Sequence, residues 1–298
     1  MRFELIKDHR GEFPVTRMCK VLKVSRSGYY AWRTRPVSVR EMANRKLTEH
    51  IEAVYEATDG TYGSPRIYRE LKDQGVACSE NRIARLMRLC GLCAKQSKRY
   101  RATTKRNRTH RVAPNLLNRD FVADRPDQKW LTDITYIPTQ EGWLYLAAVL
   151  DLYARRIVGW AMSDRMTSDL TIDALQMAIR QRQPQLALLH HSDQGSQYTD
   201  GEYLALLKEH GIQVSMNGAG TWYDNAPMES FFGTLKSELV HHRVYRTRDE
   251  ARTDLFFYVE GFYNRRRRHS ALNYRSPEAH EQRYYQRQAL RLPNCPPK

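Results

Sequence analysis

The chain has 298 residues, 41% of them hydrophobic and 10% aromatic, and sets 49 Lys and Arg against 33 Asp and Glu for a net charge of +16. A chain this long buries roughly 75% of its unfolded surface, so overall disorder is excluded, and the positive excess points to a polyanionic partner. The longest apolar run, Trp143 to Leu150, is far below the roughly 20 residues that span a bilayer. With charges scattered through the first ten residues and an odd five cysteines, the expectation is a cytoplasmic protein without a membrane partner.

Taken in chain order, Thr16 to Leu22 reads as a short helix, and Ser25 is placed to cap a second one running through Tyr29 and Trp32. Arg40 to Ala57 is a longer helix, ended near Asp59-Gly60. Pro65 to Gln74 then leads through Gly75 into a helix that begins near Ser79 and carries Ile83, Leu86 and Met87 inside. Two short helices joined by a Gly-containing turn form a helix-turn-helix pattern, with Arg82, Arg85 and Arg88 facing outward toward DNA. The alternative is an ordinary packing pair of helices. Between Lys95 and Arg111 lie eight basic residues and no acid, among them Lys98, Arg99, Arg101, Lys105 and Arg106. This stretch reads either as a linker tracking a phosphate backbone or as a solvated connector. Strands are expected over Trp130 to Ile137, Gly142 to Asp151, Arg156 to Ser163, Leu186 to Ser192 and Ile212 to Met216. Helices are expected over Leu170 to Arg180 and Gly201 to His210, and from Asp224 onward the pattern is helical. Three leading strands followed by alternating helices and strands indicate a mixed α/β sheet with helices on its faces.

Divided by segment, the charge is +15 over 1–126, −6 over 127–242 and +7 over 243–298. Within the acidic middle, three carboxylates occupy costly places. Asp133 interrupts an apolar strand, Asp193 closes another, and Glu229 lies one turn into a helix. Singly these fit a strand surface, a turn and a first-turn acid complementing the helix dipole. Together they are a candidate oxygen-ligand set for hard cations such as Mg²⁺. Lys236 follows Glu229 by two helical turns, giving a stripe of Asn225, Glu229, Gly233 and Lys236 in which Gly233 is expected to permit close approach and Lys236 to reach a phosphate. His190 and His191 read as structural. Cys90-Gly91-Leu92-Cys93 has no second pair at zinc spacing, which leaves helix-packing cysteines as the expectation.

The segments Trp130 to Tyr136, His191 to Tyr198 and Asp224 to Lys236 closely resemble the integrase core of bacterial insertion-sequence transposases, and specifically their OrfB-type DDE product, similar to retroviral integrases. Tyr62 to Ile67 and Tyr263 to Leu272 extend the resemblance over nearly the whole chain. It implies a ribonuclease H-like core, a mixed five-stranded sheet flanked by helices, preceded by all-α helix-turn-helix segments. The implied layout is a helix-turn-helix-like segment over 1–40, a helix-turn-helix domain over 41–94, a basic linker over 95–125, the catalytic core with C-terminal helices over 126–282 and a tail over 283–298. It further implies that Asp133, Asp193 and Glu229 are catalytic and hold two Mg²⁺ ions, with Mn²⁺ a substitute, and that Lys236 contacts DNA. Implied partners are transposon-end and target DNA, further copies of the chain on that DNA, and an upstream-frame OrfA product or fusion. Ala219 departs from the pattern where many relatives have a basic residue. The competing readings are a metal-dependent nuclease that does not join ends and a non-catalytic DNA-binding regulator.

Overall fold

A computed structural model describes residues 1–95, 113–184, 187–217 and 225–291, and the chain divides into two compact units, Met1–Cys93 and Ala94–Lys298. The first unit is all helical. Helices α1 (Arg2–Asp8), α2 (Val15–Val21) and α3 (Arg26–Thr34) surround a small core of Ile6, Cys19 and Tyr29, packed by Phe3, Leu22 and Trp32. Ser25 caps α3 as expected, its hydroxyl accepting from Gly28 N at 3.0 Å. Helix α1 has no sequence signal because Met1 offers no capping side chain; its place comes from burying Ile6. Helix α4 (Val39–Ala57) packs against α5 (Ser64–Asp73) and α6 (Glu80–Leu89). Ser38 and Ser79 cap α4 and α6, and Gly75, at φ +77°, makes the turn after α5.

The second unit is built on a five-stranded sheet of order β3-β2-β1-β4-β5. β1 (Lys129–Thr139), β2 (Gly142–Asp151) and β3 (Arg156–Ser163) form an antiparallel meander, while β4 (Leu189–Ser192) and β5 (Gln213–Met216) join parallel to β1. Alternation along β1 and β2 sends residues to two cores. Leu131, Ile137, Leu144, Leu146 and Leu150 meet the C-terminal helices; Trp130, Ala147 and Val149 meet α7 (Ser168–Arg182) and α8 (Gly201–Glu209). Helix α7 crosses β3 so closely at Gly159 that a Cβ there would lie 2.2 Å from the Ala174 carbonyl oxygen. Its last turn is fixed by Arg182, whose guanidinium forks onto Asp127 with two bonds of 2.8 Å.

Three expectations are corrected. The strand expected over Leu186 to Ser192 is a strand over Leu189–Ser192; Leu186 lies outside the described residues, and Leu188 still reaches the core and accepts from Gln213 N at 2.9 Å. The helical stretch after Asp224 is broken into α9 (Ala226–Glu238), a 3₁₀ turn at Val240–His242, α10 (Arg248–Phe256), a π-helix over Phe257–Tyr263, a 3₁₀ turn at Ser270–Leu272 and α11 (Pro277–Arg291). The π-spacing puts Tyr258 and Tyr263 on one buried face, and Asn264 then bonds both the N–H (3.0 Å) and the carbonyl (2.9 Å) of Ile157 on the edge strand β3. Cys90 and Cys93 are exposed rather than packed between helices, while Cys19 is buried; all the cysteines within the described residues are free. Among the described residues no helix is long and apolar enough to cross a membrane.

Candidate active site

The site forms where the sheet changes character. Parallel pairing of β1 with β4 ends at Leu131 opposite His191, and a carboxylate follows two residues further on in each chain segment, Asp133 within β1 and Asp193 directly after β4. Equal offsets from the last paired residues bring the two acids close together at the edge of the parallel pairing, near enough for Asp193 to raise the Asp133 carboxyl. Each is held by a local amide: Ile134 N donates to Asp133 Oδ1 at 2.8 Å, and Gly195 N to Asp193 Oδ1 at 2.9 Å. A Cβ on Gly195 would stand 3.0 Å from that same Asp193 oxygen, so glycine lets the loop close over the carboxylate.

Helix α9 brings the third acid. Asn225, buried at its N-terminus, donates from Nδ2 to the Thr132 carbonyl at 3.1 Å, which pins the helix start to the residue before Asp133. Pro227 sits in the first turn, where a missing N–H costs nothing. Glu229 follows one turn later on the exposed side. Burial, then Asp193 and also Glu229, push the Asp133 carboxyl up to about 8, and Lys236 works in the opposite direction. Burial also raises Asp193, against the Gly195 amide, and raises Glu229. Asp133 therefore feels both other acids and Lys236. The Lys236 ammonium lies over the Tyr136 ring, 4.6 Å from its centre. Phe232, Leu235 and Leu239 are buried beside the Glu229–Lys236 stripe. A Cβ on Gly233 would meet open space, so no other part of the described chain crowds that position.

Two histidines stiffen β4. Ser215 Oγ accepts from Leu116 N (2.9 Å) and Leu117 N (3.1 Å), which leaves its proton for His191 Nδ1 at 2.8 Å. His191 is thereby the Nε2–H tautomer and donates to Asn217 Oδ1 at 2.6 Å. Gln194 Nε2 donates to the Asn217 carbonyl, so the loop bearing Asp193 is tied to the end of β5. His190 is fully buried against Tyr203 Oη at 3.1 Å, and burial pushes its imidazole down to about 3. Both are structural, as the sequence indicated. Ser215 and Asn217 carried no signal of their own.

Of the basic residues singled out, Arg85 and Arg88 are exposed on α6, whereas Arg82 is half-buried and forks onto Asn44 Oδ1 at 2.9 and 2.8 Å, bracing α6 against α4. Lys98, Arg99, Arg101, Lys105, Arg106, Ala219 and Asp224 lie outside the described residues. Within the basic cluster after the π-helix, Arg267 turns inward and forms a buried pair with Glu238, Nε to Oε2 at 2.7 Å and Nη2 to Oε1 at 2.6 Å, joined by Tyr258 Oη at 2.8 Å. This anchor holds the end of α9 that carries Lys236.

Among the described residues no three His, Cys, Asp or Glu side chains converge into a ready metal cage. The all-oxygen donors nevertheless fit a hard divalent cation, which takes one or two carboxylates and completes its shell with water and substrate phosphate.

Residues 123–221 and 210–277 match the family model described as Integrase core domain, and residues 42–100 match the HTH-like domain. The fold is thus the ribonuclease H-like integrase core, and the protein is a DDE-type polynucleotidyl transferase with a DNA-binding helical region. The chain is 46% identical over 269 residues to the insertion element IS600 uncharacterized 31 kDa protein of Shigella sonnei, covering 90% of this chain and 99% of that one. It is 42% identical over 284 residues to transposase InsF for insertion sequence IS3A of Escherichia coli (strain K12), covering 94% and 98%. The chain belongs to this family of insertion-sequence transposases. Solved structures similar to it include a chain of the simian T-cell lymphotropic virus intasome in complex with PP2A regulatory subunit B56 gamma, at 14% identity and a TM-score of 0.45, covering 83% of this chain and 76% of that one. Another is the HTLV-2 integrase catalytic core domain in complex with magnesium, at 16% identity and a TM-score of 0.40, covering 52% and 95%.

Proposed function

We propose that Asp133, Asp193 and Glu229 are the acids with which this transposase cuts and joins DNA at the ends of its insertion sequence. The observation that supports the assignment is the place of Asp133 on β1, two residues beyond the last pairing of that strand with β4, where burial, Asp193 and Glu229 all raise its carboxyl and Lys236 opposes them. Two Mg²⁺ ions, replaceable by Mn²⁺, are the proposed cofactors; bound between these acids, they would activate the attacking hydroxyl and neutralise charge on the phosphoryl oxygens.

The chain's own groups do the positioning. Asn225 sets the reach of Glu229, the Ser215–His191–Asn217 chain holds the Asp193 loop, and Lys236 supplies a fixed positive charge beside Asp133 for a phosphate entering there. In cleavage, water adds to the phosphorus and the 3′ oxygen leaves as a hydroxyl. In joining, that 3′ hydroxyl forms a new P–O bond while a target 3′ oxygen departs. No covalent bond to the protein is needed. Further readings in the same proposal are assembly of several copies on paired DNA ends, cooperation or fusion with an upstream OrfA product, and residence in the cytoplasm with the nucleoid.

The test uses labelled duplexes carrying the element's ends. Asp133→Asn, Asp193→Asn and Glu229→Gln should each remove both cleaved and joined products in Mg²⁺. Wild-type yields from any of the three would overturn its assignment, and cleavage without joining by the wild type would return the nuclease reading.

A further inference from the structure

The HTH-like family match begins at residue 42 and does not reach the first three helices, where the sequence led only to the expectation of a helix-turn-helix-like segment. Their chemistry is distinctive. Between Glu12 and Glu41 there is no acidic residue, and the same stretch holds seven Lys and Arg. Helix α2 ends in an αL residue, Lys23 at φ 52°, with Val24 N bonding back to the Cys19 carbonyl at 3.0 Å. A four-residue turn, Leu22 to Ser25, leads directly to the capped start of α3. The inner side of α3 is Tyr29 and Trp32, stacked in an aromatic cluster with Phe3. Its outer side shows Arg26, Tyr30 and Arg33, spaced by four and three so that they form one exposed stripe, and its first turn contains no acid.

We propose that α2 and α3 form a second helix-turn-helix, in which α3 enters the major groove of duplex DNA through Arg26, Tyr30 and Arg33 while Lys23 lies on the phosphate backbone. The occupant follows from charge complementarity: an acid-free basic stripe on α3 with an exposed tyrosine ring between two guanidinium groups fits a polyanion with base edges, and a helix is the element that a major groove admits. The stripe is built rather than incidental. The Ser25 cap and the left-handed lysine fix the angle between the helices, and the aromatic cluster fixes the roll of α3, so the three side chains project together. A chain with α6 as one reading helix and α3 as another would contact two separate stretches of each DNA end. This inference rests on the transposase reading, which supplies DNA as the partner.

The experiment uses the full chain and a fluorescently labelled duplex carrying the element's end, with a duplex of scrambled sequence as control. Arg26→Gln with Arg33→Gln should weaken binding about tenfold or more and make the plot of log affinity against log salt shallower by about 1–2, close to 0.9 for each phosphate no longer neutralised. Hydroxyl-radical footprinting should lose one block of protection and keep another, whereas Arg85→Gln with Arg88→Gln should do the reverse. Arg26→Lys with Arg33→Lys should restore the salt slope, which separates an effect of charge from damage to the fold. Tyr30→Ala should reduce discrimination between the two duplexes by about tenfold. Unchanged slope and footprint in the glutamine variant, with wild-type helical circular dichroism, would overturn the proposal. A wild-type chain that bound neither duplex would instead overturn the DNA reading on which it rests.

Discussion

Asp133→Asn should make the protein inactive and, without metal, more stable. The Asp133 carboxyl is pushed from its ordinary 3.8 to about 8, first by burial and then by Asp193. A raised carboxyl pKa means that the folded state keeps a proton the unfolded chain has released. Stability is therefore lost as pH rises from about 4 to about 8. At pH 7 the group is forced roughly three units above its unfolded value, and at 1.36 kcal/mol per unit the ceiling is about 4 kcal/mol. Because Asp133 keeps partial access to solvent, which screens part of that penalty, we expect about 1–2 kcal/mol. The assay is urea unfolding of wild type and variant in EDTA across that pH window. The variant should be the more stable at the alkaline end, and the difference should vanish at the acid end. Added Mg²⁺ should then raise the wild-type midpoint more than the variant's, since a ligand that binds only the native state stabilises it. A variant no more stable than wild type near pH 8 would refute the reasoning.

Arg267→Met should cost about 3–5 kcal/mol because it leaves Glu238 buried without its partner, and combining it with Glu238→Leu should recover most of that loss in thermal unfolding. Gly159→Ala should lower the urea midpoint by at least about 2–3 kcal/mol equivalent without changing the slope, since its methyl group has no space beside Ala174 and Ala178. Asn225→Ala should cost about 1–2 kcal/mol of stability through the orphaned Thr132 carbonyl. In single-turnover cleavage it should lower the rate far more than it weakens DNA binding, because Glu229 loses its fixed approach.

The elements legible in the sequence are those whose signals are local. β2 and β3 follow from apolar runs with hairpin-length connections, α3 from its Ser25 cap, α6 from its start near Ser79, and the places of Asp133 and Asp193 from acids set against apolar runs. What escaped depends on distant partners. The π-helix exists because Tyr258 and Tyr263 must share one buried face while Asn264 reaches Ile157, more than a hundred residues away. Arg267 is one of four consecutive arginines, and its pairing with Glu238 sets it apart. Arg82 was expected to face outward, and Asn44 across the bundle draws it in. The orientation of His191 is set by Ser215, which itself accepts from two amides of the segment before β1, a relation that no spacing in the chain encodes.

The Glu238–Arg267 clasp also places the centre on a clock. β1, β2 and β3 are joined by short turns and can form as soon as they are made, so Asp133 is in position early. Glu229 is held in place only when Arg267 has been added to lock the far end of its helix. At 5–20 residues per second, roughly ten seconds of synthesis separate the first acid from that lock. During this interval the chain already displays its N-terminal DNA-binding helices but lacks a completed cutting centre. On the proposed assignment, a chain at that stage carries its N-terminal helices while the third acid still waits for the clasp that locks its helix.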